Sequence, residues 1–209
     1  MIAFLDNEDN VAGAPNENLA REIFELHTLG VDGPYTEADV REFARCLTGW
    51  HYEQDANSPT FGTFLFDHAL HDAGPKSILG LQFPGGGGEA ETEAVLDLVA
   101  DHPSTIEFVT SKLARWLLGD RPPQFAVNAA RSVWAQTGGD LEAVVRALLT
   151  EDALRSVLVS RRSAFRRPFD WLAATLRATG VEVPDPLDAL ELMRTLGQAP
   201  FEWPAPDGY

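Results

Sequence analysis

The chain has 209 residues, with 16 Lys and Arg against 32 Asp and Glu, a formal net charge of −16. Hydrophobic residues make up 44% and charged residues 23%, which excludes a disordered or collagen-like chain. The single cysteine, Cys46, excludes an intramolecular disulfide framework and a Cys-rich metal cage. No apolar run reaches the roughly 18 residues of a transmembrane helix, and Met1 to Asn10 lack the basic start of a secretory signal. The carboxylate surplus argues against general nucleic-acid binding, which needs Lys and Arg to neutralise phosphates.

Residues 1–15 read as an entry segment with turn formers Asn7, Asn10, Gly13 and Pro15. A helix is predicted from Glu17 to Leu29, with Asn16 as its N-cap and Leu19, Ile23 and Leu26 on its inner face. A second helix is predicted from Glu37 to Thr48. Thr36 and Asp39 form an acidic capping box, Val40, Phe43, Ala44 and Leu47 make the core stripe, and Gly49 is the stop. The aromatic-rich runs Trp50–Tyr52 and Thr60–Phe66 suit two strands with a tip at Asn57-Ser58-Pro59, and Ser77–Phe83 suits a third. Pro84 to Gly88 reads as a flexible linker. Its glycines lack the Gly-Lys-Ser/Thr ending of a phosphate loop.

Helices then follow from Ala90 to Ala100, from a capping box at Ser104–Glu107 to Leu118, from Pro123 to Gly138, and from Asp140 to Leu149. Two more run from Pro168 to Thr179 and from Asp185 or Asp188 to Gly197. The tail 198–209 is too rich in proline for helix or central strand, and Trp203 and Tyr209 are expected to pack over the helices. The predicted fold is mainly α, a bundle-like single domain with a small β-insert between the second and third helices. Its parts are a helix pair at 1–49, the insert and linker at 50–88, a helical region at 90–197, and the tail. Residues 1–110 carry 4 basic and 20 acidic residues, whereas residues 111–209 carry 12 of each. A solvated acidic face, or a site for a cation or basic partner on the first half, would account for that asymmetry.

The run from Asn16 through Asn18, Arg21, Glu22 and Glu25 to Gly30 (NENLAREIFELHTLG) is followed by Tyr35 to Val40 (YTEADV) and Ala44 to Trp50 (ARCLTGW). His71 to Lys76 (HDAGPK), His102 to Thr105 (HPST) and Gly197 to Pro200 (GQAP) come later. Together they resemble the bacterial "domain of unknown function 1800" proteins, with Ile23 standing where the pattern has Leu. The resemblance implies Asn16, Asn18, Thr36, Gly49 and Trp50 as structural motif residues. It also implies that this is the C-terminal portion of a longer protein, an exported or envelope setting, and a sulfatase-like protein as companion. It implies no reaction.

Three constellations could carry chemistry. Glu22 and Glu25, three apart on one helix face, would form with His71 or Asp72 a hard oxygen and nitrogen site for a divalent metal that activates water. The alternative is an Arg21–Glu25 ion pair beside a buried polar network around Asn16 and Asn18. The His71-Asp72 loop offers a general base, and Lys76, with Arg21 and Arg45, offers candidate substrate or anion contacts. The alternative is that His71 and Lys76 bond to backbone and fix the loop. Asp6 to Asn10 with Glu17 copies calcium-loop spacing only roughly, because Val11 stands where the turn needs Gly. Cys46 reads as a small core residue, and His27 and His102 read as helix-end residues. Two functions result: a non-catalytic envelope or secreted scaffold that binds a partner, or a metal-assisted hydrolase using Glu22, Glu25, His71 and Asp72.

Overall fold

The computed structural model describes residues 1–159, 166–183 and 185–202. Its order is a 3-10 turn Asn7–Asp9, α1 (Asn18–Glu22), a π-helical turn Ile23–His27, α2 (Glu37–Cys46), β1 (Trp50–Tyr52), β2 (Phe64–Phe66), β3 (Lys76–Ile78) and β4 (Leu81–Phe83). There follow α3 (Glu89–Ala100), α4 (Pro103–Leu118), α5 (Gln124–Thr137), α6 (Leu141–Leu148), α7 (Glu151–Val159), α8 (Pro168–Thr179) and α9 (Pro186–Thr195). The fold is mainly α, with two antiparallel two-stranded sheets between α2 and α3. The chain divides into two compact units, residues 1–161 and residues 162–209.

The first predicted helix is not continuous. It changes at Ile23 from α to π geometry, and the wider turn rotates the faces that follow it. Phe24 therefore becomes the fully buried residue, stacked on Phe43 at 4.9 Å between ring centroids and tilted against Tyr35 at 5.3 Å. Leu26, expected inside, is left 42% exposed. Thr28 Oγ1 closes the turn by donating to Ile23 O at 2.7 Å. Asn16 Oδ1 accepts from Asn18 N at 3.0 Å, but the N-cap of α1 is Glu17, one residue beyond the predicted Asn16.

α2 matches its prediction. Thr36 and Asp39 form a reciprocal capping box, and Val40, Phe43, Ala44 and Leu47 are buried. Gly49 has φ +81°, and a Cβ there would lie 2.5 Å from Asp67 O, so only glycine fits this crossing into the sheet. β1 pairs with β2 in the register Trp50↔Phe66, His51↔Leu65, Tyr52↔Phe64. The Trp50 ring meets Phe64 edge-on at 4.9 Å. The predicted third strand is instead a hairpin of its own, because Leu79 and Gly80 both take positive φ and turn the chain between β3 and β4.

α4 begins two residues earlier than the Ser104–Glu107 box requires. His102 is its N-cap, its ring nitrogen accepting from Ser104 N at 3.1 Å, with Pro103 in the first turn. Asp140 caps α6 through Ala143 N. α7 was not anticipated: its start follows Leu149 and Thr150 with no intervening Gly or Pro to mark a boundary.

Unit 1 holds two buried apolar clusters. The first joins α1, the π turn, α2, β3 and α3 through Phe24, Phe43, Leu47, Ile78, Val95 and their neighbours. The second joins α4 to α7 through Ala114, Ala130, Trp134, Val144, Leu148 and Ala153. Unit 2 contains α8, ending at Gly180 with φ +66°, and α9, capped by Asp185 on Leu187 N. The tail residues Trp203 to Tyr209, expected to pack over the helices, lie outside the described residues.

Candidate functional site

The sequence-nominated polar residues fall into two separate places. The first is the entry face of α1. Arg21 Nη2 reaches Glu17 at 3.1 Å and Glu37 at 2.6 Å, while Arg41 also reaches Glu17 at 3.3 Å. The expected Arg21–Glu25 pair is not formed, because the π turn carries Glu25 off the α-helical i, i+4 position. Burial chiefly, and the Glu25 charge next, push the Tyr35 phenol up from its ordinary pKa. Glu22 makes no ion pair among the described residues.

The expected buried network around Asn16 and Asn18 lies instead at Asn7 and Asn10, both fully buried. Asn7 Nδ2 donates to Leu47 O at 3.2 Å and Trp50 O at 2.9 Å. Asn10 Nδ2 donates to Ala44 O at 2.9 Å and to Asn7 Oδ1 at 3.1 Å, and its Oδ1 accepts from Asn16 N at 2.8 Å. These amides satisfy the carbonyls at the end of α2 and the start of β1, so they act inward rather than as ligands of a calcium-like loop.

The second place is built by the end of α2, the 67–76 loop, β3 and the first turn of α3. Arg45 grips Asp72 with two bonds, Nε to Oδ2 at 2.7 Å and Nη2 to Oδ1 at 3.0 Å. Its Nη1 reaches Glu42 at 2.8 Å and Pro75 O at 3.2 Å. The Arg45 hydrogen bonds, aided by Gly74 N, hold the Asp72 carboxyl down to a pKa of about 2. Thr48 Oγ1 accepts from Asp72 N at 2.7 Å and donates to Arg45 O at 2.7 Å.

Lys76 is buried, with 2% of its surface exposed. Its Nζ donates to Asp72 O at 2.5 Å, Gly74 O at 3.0 Å and Glu91 Oε2 at 2.5 Å. An ammonium has three protons, and all three are used. Glu91, 6% exposed, accepts with its other oxygen from Gly87 N at 2.6 Å. A Cβ on Gly87 would lie 2.7 Å from Glu91 Cγ. The glycine run read as a flexible linker is thus the close-fitting wall that lets backbone approach a buried carboxylate.

His71, 7% exposed, places Nδ1 2.9 Å from Thr48 O. A carbonyl only accepts, so Nδ1 carries the proton in this bond. Nε2 is buried without a hydrogen-bond partner and lies 3.7 Å from Glu91 Oε2. The Phe66 ring covers the imidazole edge-on at 5.2 Å. Burial, above all, pushes the Cys46 thiol up to about 12, and Thr92 Oγ1 donates to Cys46 O at 2.7 Å.

The structure therefore brings together Arg45, His71, Asp72 and Lys76, and leaves Glu22, Glu25 and Arg21 on the α1 face. Among the described residues no three His, Cys, Asp or Glu side chains gather as they would around a metal ion. Sequence reasoning missed Glu91, Thr48, Asn7 and Asn10. The available signal for Glu91 was a glycine run ending in the first turn of a helix, where a carboxylate is favoured by the helix dipole.

Taken together, the class is a mainly helical protein whose N-terminal motifs are organised by a buried ionic network. The sequence profile of the family described as Protein of unknown function (DUF1800) matches residues 1–209, and the chain belongs to that family. No curated protein and no solved structure matches it.

Proposed function

We propose that the chain is a non-catalytic scaffold, in an exported or envelope setting, that binds a protein partner. One observation carries this reading: in the 67–76 loop, the nominated groups other than His71 Nε2 are occupied by internal bonds. Asp72 is held by Arg45, all three Lys76 protons are bound, and His71 Nδ1 donates to backbone. A general base or anion receptor needs such groups open to a ligand. Apolar exposure gives support. On α7, Leu158 is 77% and Val159 84% exposed. Unit 2 exposes Phe169, Trp171 and Leu187, and α8 buries none of its residues. Exposed large side chains of this kind mark interaction surfaces.

The companion suggested by the family resemblance is a sulfatase-like protein, and it is the first partner to test. The chain is immobilised, and binding of such a protein from the same genome is measured for wild type, Leu158→Asp and Trp171→Asp. Saturable binding weakened by either substitution supports the scaffold. The metal-assisted hydrolase reading, with Glu22, Glu25, His71 and Asp72, makes the opposite prediction. Turnover of a sulfate, phosphate or carboxylate ester that is lost in Glu22→Gln, with the melting temperature unchanged, would overturn the scaffold.

A further inference from the structure

A cleft of about 730 Å³ opens between α4 and the 29–33 segment that precedes α2. One side is a stripe of α4. Ser104, Phe108, Ser111 and Arg115 follow one another at helical spacing and share a face, with Lys112 beside them. The other wall is backbone. Gly30 has φ +90°, and a Cβ there would lie 2.9 Å from Phe108 Cδ2. The segment thus rests directly on the Phe108 ring, an approach that glycine permits. Leu29, Val31 and Pro103 add apolar surface.

The cations of this cleft are uncommitted. The basic residues of positions 1–110 are Arg21, Arg41, Arg45 and Lys76, and each pairs with a carboxylate. The next two, Lys112 and Arg115, form no ion pair among the described residues, in a chain with 32 Asp and Glu against 16 Lys and Arg. The Lys112 ammonium is held in place at the cleft. Its Nζ stands 5.0 Å over the centroid of the Phe108 ring and donates to Leu26 O at 3.2 Å. That bond uses one of its three protons and leaves two. The Arg115 guanidinium, a planar fork of donors, makes no hydrogen bond among the described residues. Of the two carboxylates in the lining, Glu107 is taken by Arg131, and Asp32 pairs with neither cation.

We infer that this cleft binds a carboxylate carried on an apolar body, with the charge at Lys112 and Arg115 and the body against Phe108 and the 29–33 wall. A carboxylate matches the Arg115 fork with two parallel bonds, and Lys112 adds a point charge. The cleft volume falls within the range of small-ligand sites, about 300–1,000 Å³. A single negative charge is favoured over a polyanion, because the 20 acidic residues of positions 1–110 repel further charge at long range. The carboxylate belongs to a free acid or to an acidic side chain of a peptide. The inference stands apart from the scaffold reading, since Leu158 and Trp171 lie outside this lining.

The test titrates the full chain with phenylacetate and with a blocked peptide in which glutamate follows phenylalanine, read by calorimetry and amide chemical shifts. Phenylacetamide and the matching glutamine peptide are the neutral controls. Saturable binding of phenylacetate alone assigns the cleft to a free acid, and binding of the glutamate peptide assigns it to an acidic side chain. Either supports the inference, with shifts centred on Val31, Asp32, Phe108 and Lys112. The double variant Lys112→Gln, Arg115→Gln should bind roughly tenfold or more weakly, the scale of two exposed charge contacts. Arg115→Gln, whose guanidinium makes no internal bond, is the second variant if the double one melts early. Arg41→Gln, which removes a positive charge outside the lining, should bind as wild type does. Equal binding of the neutral controls, undiminished binding by the cleft variants, an equal loss in Arg41→Gln, or no saturable binding each overturns the inference.

Discussion

The two buried clusters of unit 1 are held by different means. Around α2 and α3, apolar side chains share the interior with Asn7, Asn10, Thr48, His71, Lys76, Glu91 and Thr92, whose side-chain partners lie up to 46 residues away. Among α4 to α7 the interior is almost wholly aliphatic and aromatic, with Thr110 bonded within its own helix. Aliphatic packing tolerates volume-conserving change. A buried ionic network tolerates little, because removing one partner strands the other. The first region should therefore be specific in sequence and brittle, and the second permissive.

The largest contrast comes from placing the same residue in both. Lys76→Met leaves Glu91 buried and unpaired, and urea melts should show a loss of about 3–5 kcal/mol. Adding Glu91→Leu to Lys76→Met should lose less than Lys76→Met alone. Leu148→Met, in the second cluster, should lose under about 1.5 kcal/mol. Equal losses at Lys76 and Leu148 would erase the distinction. Asn10→Ala removes donors and acceptors together and strands Ala44 O and Asn16 N, so about 2 kcal/mol should be lost.

A smaller effect follows pH. The native Asp72 carboxyl titrates at about 2, below the value near 3.9 of an unfolded aspartate. Its contribution is present in full above the unfolded value and is lost as pH falls through the native one. The melting-temperature gap between wild type and Asp72→Asn should hold steady near neutrality and shrink between about pH 4 and pH 2. A gap that stays constant through that window would detach Asp72 from the stabilising network. The smallest signal is at Cys46, buried with its thiol pushed up to about 12. Iodoacetamide at pH 8 should leave it unlabelled in native protein and label it once urea unfolds the chain.

Local rules located most of these elements. The Thr36–Asp39 box, Asp140, Gly180 and Asp185 mark helix ends through hydrogen bonds a few residues long, and Pro168 opens α8 through its fixed φ. The π turn was not legible because it goes with tertiary contacts, Phe24 being buried against Phe43 and Tyr35 across the helix pair. The separate β3–β4 hairpin rests on a left-handed Leu79, a residue type that does not announce a turn. At the candidate site the sequence pointed to His71, Asp72 and Lys76 and offered both a reactive and a structural role. It could not name Glu91, 15 residues beyond Lys76, as the partner.

By itself the sequence determined the helical class, most helix boundaries, the family, and the polar loop around which the first half is organised. Those properties reside in periodicity, capping and short motifs. Tertiary structure alone decided which charges meet. It sent Arg21 to Glu37 rather than Glu25, gave Arg45 to Asp72, closed Glu91 over Lys76, and turned Asn7 and Asn10 inward. Ion pairing and burial depend on distances between segments far apart in the chain, and no local pattern encodes those distances.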